Sequence, residues 1–311
     1  MSKVAIIGAG NVGASIASML AFNQLCRDVV LYDIAKEVAQ GKAYDIAQAA
    51  SITHSSTAVH VAQDMDALQG ASVVVITAGS PRKPGMSRED LLFKNASIMK
   101  SLCLDIKRVA PESIIIVVSN PLDAMVYVAL QHTGFPRERV VGMAGVLDSA
   151  RMAHAITEAA GFGEGQVEAL VIGGHGDAMV PLPRFSTLKG VPIADILSEE
   201  ALTGVVKTTQ AGGARIVSLM GTSAYYAPAA AVCAMVESIL KDLNRLMPCA
   251  YLLEGEYGYS DIVTGVVVAL GRQGVSSHLA LPLNTQERNA LKESVQEVAA
   301  QIMLLNSHSL C

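Results

Sequence analysis

The chain has 311 residues, of which 51% are hydrophobic and 16% are charged, and its formal net charge is −5. That length suits two domains with sizeable cores. The acidic balance argues against a nucleic-acid-binding protein, which would normally be basic. The apolar runs are too short for a signal-peptide core or a membrane span.

Four short runs in the first half have the composition of buried strands. They are β-branched and apolar throughout, as is typical of parallel strands covered by helices on both faces. The runs are residues 4–7, 29–32, 73–77 and 114–118. Segments of helical length separate them, at residues 11–22, 35–50 and 88–109. This alternation predicts an α/β fold with a doubly wound parallel sheet of the Rossmann type.

The second half has a different pattern, typical of an α+β domain. Helices are predicted at residues 148–160, within 209–241 and at 284–306, and strands at 167–172, 259–268 and around 279. Asn284 and Glu287 are expected to form a capping pair for the last helix. We place the domain boundary near residues 142–145, which divides the chain into residues 1–143 and 144–311.

A glycine-rich motif follows the first predicted strand and opens the first helix. It consists of Gly8, Ala9, Gly10, Asn11, Val12 and Gly13. In this context the glycines would allow a tight turn, the close approach of a pyrophosphate and close helix packing. Free backbone N–H groups at the positive end of the helix dipole would bind the phosphates. The motif alone is weak evidence for dinucleotide binding, and the alternative is a glycine turn with only a structural role.

Asp33 ends the second predicted strand, twenty residues after Gly13. A carboxylate there accepts hydrogen bonds from the adenosine ribose. It would also repel a 2′-phosphate, and neither Arg nor Ser follows at 34 or 35 to bind one. The pattern therefore predicts NAD as the cofactor, rather than NADP.

Three later segments carry candidate catalytic residues. Asn120 follows the fourth strand, Asp148 and Arg151 lie three residues apart on one predicted helix, and His175 lies between glycines after a strand. Histidine can exchange a proton near neutral pH, and a guanidinium can bind a substrate carboxylate through two hydrogen bonds. These residues suit the reduction of a 2-oxo acid if the fold brings them together. Taken singly, Asp148 and Arg151 also fit an ordinary ion pair, and His175 a core residue.

Positive charge is concentrated in the loop at residues 78–90. Arg82, Lys83 and Arg88 fall within seven residues, framed by prolines and glycines. A loop of this kind can close over a bound ligand and exclude water. A solvated basic turn is the alternative, and it fits Lys83 better than it fits the two arginines.

These motifs together resemble the lactate/malate dehydrogenase family, in its lactate-dehydrogenase-like bacterial malate dehydrogenase branch. The matching segments cover nearly the whole chain; they are GAGNVG, TAGSPRKPGMSREDLL, VSNPLD, LDSAR, GGHGDAMVPL, GTSAYYAPAAA and LEGEYGYSDI. The resemblance implies NAD-dependent, reversible oxidation of (S)-malate to oxaloacetate and a role in the tricarboxylic acid cycle. It also implies a homodimer or homotetramer.

The resemblance further implies a role for each site residue. His175 would be the proton donor and acceptor, and Asp148 its carboxylate partner. Arg151 would bind the substrate carboxylate beside the reacting carbon, and Arg88 would polarise the carbonyl. Lactate-type members carry a neutral glutamine where this chain has Arg82, so Arg82 would select a substrate with a second carboxylate.

The remaining implied contacts involve the ends of the parallel strands. Asn120 would contact both substrate and cofactor, while Asn95 and Val118 would be further cofactor contacts. The bond between Asn120 and Pro121 corresponds to one that is cis in the family. Ala178 departs from the family pattern, which commonly has Ser or Thr there.

The cysteines indicate the compartment. They are odd in number, widely scattered and without metal-ligand spacing: Cys26, Cys103, Cys233, Cys249 and Cys311. We therefore expect reduced thiols in a cytoplasmic protein, with no metal site.

Two other functions remain open at this stage. One is a lactate dehydrogenase, or a dehydrogenase of broad 2-hydroxy-acid range, that tolerates Arg82. The other is a catalytically silent dinucleotide-binding module that senses redox state, which would need Asp33 but not His175.

Overall fold

The computed structural model describes residues 2–81, 85–163, 165–308 and 310. Strands and helices alternate through the first half of the chain. The elements are β1 (Lys3–Ile7), α1 (Asn11–Phe22), β2 (Asp28–Tyr32), α2 (Lys36–Ile52), β3 (Ala58–Val61), β4 (Val73–Ile76), α3 (Arg88–Val109), β5 (Ile114–Val117), α4 (Leu122–Thr133) and β6 (Val140–Gly142).

The second half mixes short strands, an antiparallel hairpin and long helices. Its elements are α5 (Gly145–Ala160), β7 (Val167–Glu168), β8 (Val171–Gly173), β9 (Met179–Pro181), β10 (Thr187–Leu188), β11 (Val191–Pro192), α6 (Glu199–Met220), α7 (Tyr226–Leu240), β12 (Arg245–Glu254), β13 (Ser260–Gly271), β14 (Gly274–His278) and α8 (Thr285–Ser307).

One sheet runs through both halves of the described chain. Its order is β3-β2-β1-β4-β5-β6-β12-β13-β8-β9, with β14 on β13. The six strands from the first half are parallel, in the order of a doubly wound sheet, and the rest pair antiparallel. The predicted fold class is confirmed. The carboxyl ends of β1, β2, β4 and β5 align at one edge, where ligands bind in such sheets.

The parallel strands are buried on both faces, as their continuous apolarity predicts. Every residue of β4 and β5 is buried, between helices that pack on the two sides of the sheet. The helices predicted at 11–22 and 88–109 have those bounds in the structure. The capping pair at the start of α8 is also confirmed, since Asn284 and Glu287 form a reciprocal capping box.

The helical stretch predicted within residues 209–241 is two helices with a break between them. Helix α6 begins earlier, at Glu199, and ends at Met220. Gly221 follows with φ 68° and caps the helix in the left-handed region. Helix α7 then begins at Tyr226, and Pro228 lies in its first turn, where a backbone N–H has no helical partner. Ser223 and Ala224, between the two helices, line a cavity that Asn120 and His175 also line.

Among the helices of the described chain, none has the length and apolarity to cross a membrane.

Candidate active site

The glycine-rich turn joins β1 to α1, and each glycine there has a different steric reason. A Cβ on Gly8 (φ 106°) would lie 2.6 Å from the Thr77 hydroxyl, and one on Gly13 would meet the Gly8 carbonyl oxygen. Among the described residues, a Cβ on Gly10 would meet nothing within 4 Å. Gly8 and Gly13 are therefore required by packing, whereas Gly10 leaves open space at the start of α1, where a phosphate can approach the backbone.

Asp33 lies at the end of β2, beside this turn. Its Oδ2 accepts a hydrogen bond from the Ala9 backbone N–H at 2.6 Å, and its Oδ1 accepts one from the Ala35 N–H at 2.9 Å. Each carboxylate oxygen retains a further lone pair. Asp33, Gly10 and Thr77 line a cavity of about 460 Å³ with apolar walls. An adenosine with a free ribose diol fits these acceptors and walls, so the residues present fit NAD.

His175, Asp148 and Arg151 form one continuous hydrogen-bonded chain. The His175 Nδ1 lies 2.8 Å from the Asp148 Oδ2, and the Arg151 Nη1 donates to the Asp148 Oδ1 at 2.9 Å. Asp148 is only 1% exposed. Asp148 and Arg151 therefore form an ion pair, and Asp148 is at the same time the partner of His175. One carboxylate oxygen binds the guanidinium and the other binds the imidazole. The engaged Nδ1 leaves Nε2 as the histidine nitrogen available for proton exchange.

The charges around His175 favour its protonated ring. Burial works to lower the pKa of His175, but the Asp148 carboxylate opposes it through its charge and its hydrogen bond. With a further contribution from Asp123, the pKa of the imidazole is raised above its usual 6.5. A protonated ring near neutral pH is a proton donor, as reduction of a carbonyl requires.

A second cavity, of about 290 Å³, contains the candidate substrate residues. Asn120, Arg151 and His175 line it together, with Val12 and Val118 at the side towards the glycine-rich turn. The Nε of Arg151 is buried and has no hydrogen-bond partner within the described ranges. Such a donor can bind an anion entering the cavity.

Two glycines of α6, Gly212 and Gly213, lie against the Arg151 side chain. The sequence analysis did not identify this contact. A Cβ on Gly212 would lie 3.2 Å from the Arg151 Cδ, and one on Gly213 would lie 3.8 Å from both terminal guanidinium nitrogens. Glycine is unfavourable inside a helix, so two adjacent glycines indicate a close approach. The Gly212-Gly213 pair is visible in the sequence and indicates a close contact with α6, but the sequence does not show that the neighbour is Arg151.

Asn95 hydrogen-bonds the backbone where the basic loop at residues 78–90 begins. It is 2% exposed, and its amide donates to the Asn120 carbonyl at 2.7 Å and accepts from the Ser80 N–H at 2.7 Å. The peptide bond between Asn120 and Pro121 is cis. Asn95 thus links the loop to the strand end that carries Asn120, and Val118 is buried just before it.

Arg88 lies at the first position of α3, whose start is fixed by a capping box between Ser87 and Asp90. Its guanidinium donates to the Asp177 carboxylate at 3.1 Å, and both side chains are exposed. Asp177 follows His175 by two residues, and Arg88, Asp177 and His175 together line a neighbouring cavity of about 390 Å³. Arg82 and Lys83 lie outside the described residues.

Comparison with known proteins identifies the family. Residues 2–142 match the model of the lactate/malate dehydrogenase NAD-binding domain, and residues 145–307 match that of the lactate/malate dehydrogenase α/β C-terminal domain. The chain belongs to the lactate/malate dehydrogenase family. NAD is therefore its cofactor, in agreement with the fit described above.

Individual members of the family are similar over almost the whole chain. A malate dehydrogenase of a Nitratiruptor species is 53% identical over 309 residues, covering 99% of this chain and 97% of that protein. The crystal structure of Cryptosporidium parvum malate dehydrogenase matches with a TM-score of 0.95 at 37% identity, covering 98% and 99% of the two chains.

A lactate dehydrogenase matches the fold almost as well. That of Cryptosporidium parvum, solved with lactic acid and nicotinamide adenine dinucleotide, has a TM-score of 0.94 at 37% identity and covers 98% of each chain. The backbone fold is thus shared by malate and lactate dehydrogenases, and side chains must distinguish the two substrates.

Proposed function

We propose that this chain is an NAD-dependent malate dehydrogenase that interconverts (S)-malate and oxaloacetate. The observation that carries the dehydrogenase reaction is the His175–Asp148–Arg151 chain beside a cavity at the dinucleotide-binding edge of the sheet. The choice of malate is supported by the malate dehydrogenase that is 53% identical over 99% of this chain. It combines a proton donor and an anion-binding group. A silent redox-sensing module would have no use for either.

When bound, NAD supplies the acceptor or donor of the hydride. Residues 8–13 would hold its pyrophosphate through backbone N–H groups at the start of α1, and Asp33 would bind the adenosine ribose. Val118 and Asn120 line the cavity, and Asn95 donates to the Asn120 carbonyl from behind it; we assign all three to the cofactor side of the site.

His175 would exchange the proton at the substrate oxygen through its Nε2. Asp148 holds the opposite ring nitrogen and thereby fixes the tautomer and the direction of Nε2. Protonated His175 serves reduction of oxaloacetate, and neutral His175 serves oxidation of malate. Oxidation should therefore improve as pH rises through the pKa of His175, which is raised above its usual value.

Arginines would hold the substrate. Arg151 would bind the carboxylate beside the reacting carbon through its guanidinium, whose Nε has no partner among the described residues. Arg88 would leave Asp177 and turn towards the carbonyl when the loop closes, while Asn120 donates to the substrate from the opposite side.

Arg82 would select the second carboxylate of oxaloacetate. With pyruvate, the closed loop would bury a guanidinium against a methyl group without a partner. Leaving one side of such a charge pair unmatched costs roughly 2–5 kcal/mol. This corresponds to a preference for oxaloacetate of about 30- to 4,000-fold.

The first test measures NADH consumption with oxaloacetate and with pyruvate, for the wild type and for Arg82→Gln. We expect the wild type to prefer oxaloacetate by about two orders of magnitude or more in kcat/KM, and the substitution to erode that preference. Equal turnover of pyruvate by the wild type would leave only a general 2-hydroxy-acid dehydrogenase. His175→Asn is the matched control, which should lose turnover and keep NADH binding.

We also propose the domain boundary between residues 143 and 144, supported by family segments that end at 142 and begin at 145.

We further propose a homodimer or homotetramer in the cytoplasm. Four free, buried cysteines support a reducing compartment, and burial raises the pKa of each thiol to about 12.

A further inference from the structure

A second buried carboxylate contacts His175, from the opposite half of the chain. Asp123 lies in the first turn of α4 and is 4% exposed. Its Oδ2 accepts a hydrogen bond from the His175 backbone N–H at 2.8 Å. Its Oδ1 is buried and has no partner in the described part of the chain. An incompletely paired buried carboxylate is costly, so a neutral residue would suit the packing of α4 better.

The backbone that carries His175 is held at two successive amides. The Ser294 hydroxyl of α8 accepts from the Gly174 N–H at 2.7 Å, and Asp123 accepts from the next N–H. Asp148 holds the ring separately from α5. Three helices thus determine the position of one side chain, two through its backbone and one through its ring.

We propose that Asp123 is a positioning residue for the proton donor. Through the His175 N–H it fixes the backbone from which the ring projects, and through its negative charge it favours the protonated ring. This inference rests on the role of His175 in the proposed malate dehydrogenase reaction, and it goes beyond that role by assigning a second carboxylate to the positioning and the charge of the proton donor.

The charge on Asp123 is one of several near His175. The described charged side chains that line the adjoining cavities or contact His175 are Asp123 on α4, Asp148 and Arg151 on α5, Arg88 and Glu89 on α3, Asp177 on the loop and Glu297 on α8. Burial raises the pKa of Asp123 to about 6, although the His175 N–H and the charge of the ring work to lower it. The carboxylate is therefore charged above about pH 6, and its support for protonated His175 is lost below that pH.

Asp123→Asn separates the charge from the hydrogen bond. The amide oxygen can still accept from the His175 N–H, so we expect kcat/KM at the optimum to fall by no more than about tenfold. Without the negative charge the pKa of His175 is lower. The protonated ring is then lost at lower pH, and the alkaline limb of oxaloacetate reduction shifts to lower pH. Asp123→Ala also removes the oxygen, and kcat should fall about 100-fold with NADH affinity unchanged.

Ser294→Ala is the matched control, because it removes the other backbone anchor and leaves every charge in place. It should lower kcat without shifting the limb. A limb that stays in place in Asp123→Asn, or that moves equally in Ser294→Ala, would overturn the proposal. NMR titration of the His175 ring in wild type and Asp123→Asn measures the same pKa shift without turnover. Equal pKa values would reject the role of Asp123 even in an enzyme inactive on oxaloacetate.

Discussion

Gly10 and Gly13 lie in one motif, yet each lacks a side chain for a different reason. At Gly13 a methyl group would meet the Gly8 carbonyl, which is backbone and cannot rotate away. At Gly10 no atom of the described residues lies within 4 Å of an added Cβ, so a methyl group there would meet a ligand that approaches the backbone. Packing and cofactor binding can therefore be separated residue by residue.

We predict that Gly10→Ala folds normally and binds NADH at least about tenfold more weakly, because the methyl group occupies the approach of the pyrophosphate. Gly13→Ala should be destabilised by about 1–3 kcal/mol or more, because α1 must move away from β1. Fluorescence titration with NADH and urea denaturation measure the two effects. Normal NADH affinity in a folded Gly10→Ala would contradict the assignment of this turn to the pyrophosphate.

At the scale of elements, α6 shows how a helix can serve a neighbouring side chain. Gly212 and Gly213 face Arg151, whereas Gly204, two turns earlier in the same helix, is exposed and has open space where a Cβ would be. All three positions carry the same cost in helix propensity. Within the described part of the chain, only the pair beside Arg151 has a contact that explains the use of glycine.

Gly204→Ala should stabilise the protein by about 0.5–1 kcal/mol and leave kinetics unchanged, because it restores helix propensity at an exposed position. Gly212→Ala should raise KM for oxaloacetate about tenfold or more, because its methyl group displaces the guanidinium that binds the substrate. Steady-state kinetics with both variants provide the comparison. Unchanged kinetics in Gly212→Ala would show that Gly212 of α6 is not required for substrate binding by Arg151.

The parallel strands and α3 could be predicted from sequence because continuous apolar runs and capping signals are local. Helix α4 was missed, since it is buried on nearly all sides and so lacks an amphipathic period. Strand β12 was missed because Pro248 lies inside it, and proline normally argues against a strand.

The site divided in the same way. His175, Asp148 and Arg151 were candidates because their residue types suit the reduction of a 2-oxo acid, and the family resemblance implied their roles. Asp123 was not, although it lies in the VSNPLD segment. Its partner is 52 residues away, and only the packing of α4 against the His175 loop gives the carboxylate its neighbour.

At the scale of the whole molecule, one face retains apolar side chains that the fold leaves exposed. On α2, Val38 is 55%, Tyr44 61% and Ile52 81% exposed, and Tyr226 of α7 is 64% exposed. Helices α1 and α2 with the start of α7 line a shallow cavity, and Tyr226 is among its lining residues. An apolar face of this kind fits the proposed self-association.

Light scattering after size exclusion should give a mass at least twice that of one chain. Tyr44→Glu should lower that mass, because a charge on the apolar face must be desolvated in the assembly. Met303→Glu is the control. Met303 is also exposed, at 71%, but it lies on α8, which among the described residues packs against α3 and α4 rather than against α1 or α2. A wild type that elutes as a single chain would reject the assembly.

The continuous sheet has one more consequence, for protein engineering. The two halves meet through β6 and β12, and the carboxylates that hold His175 come from opposite sides of that junction: Asp123 before it and Asp148 after it. A gene cut between codons 143 and 144 would yield one fragment with the dinucleotide-binding turn and one with the proton donor. Neither would turn over substrate until they docked. Loss of NADH absorbance would then report their association, which makes the chain a candidate split reporter.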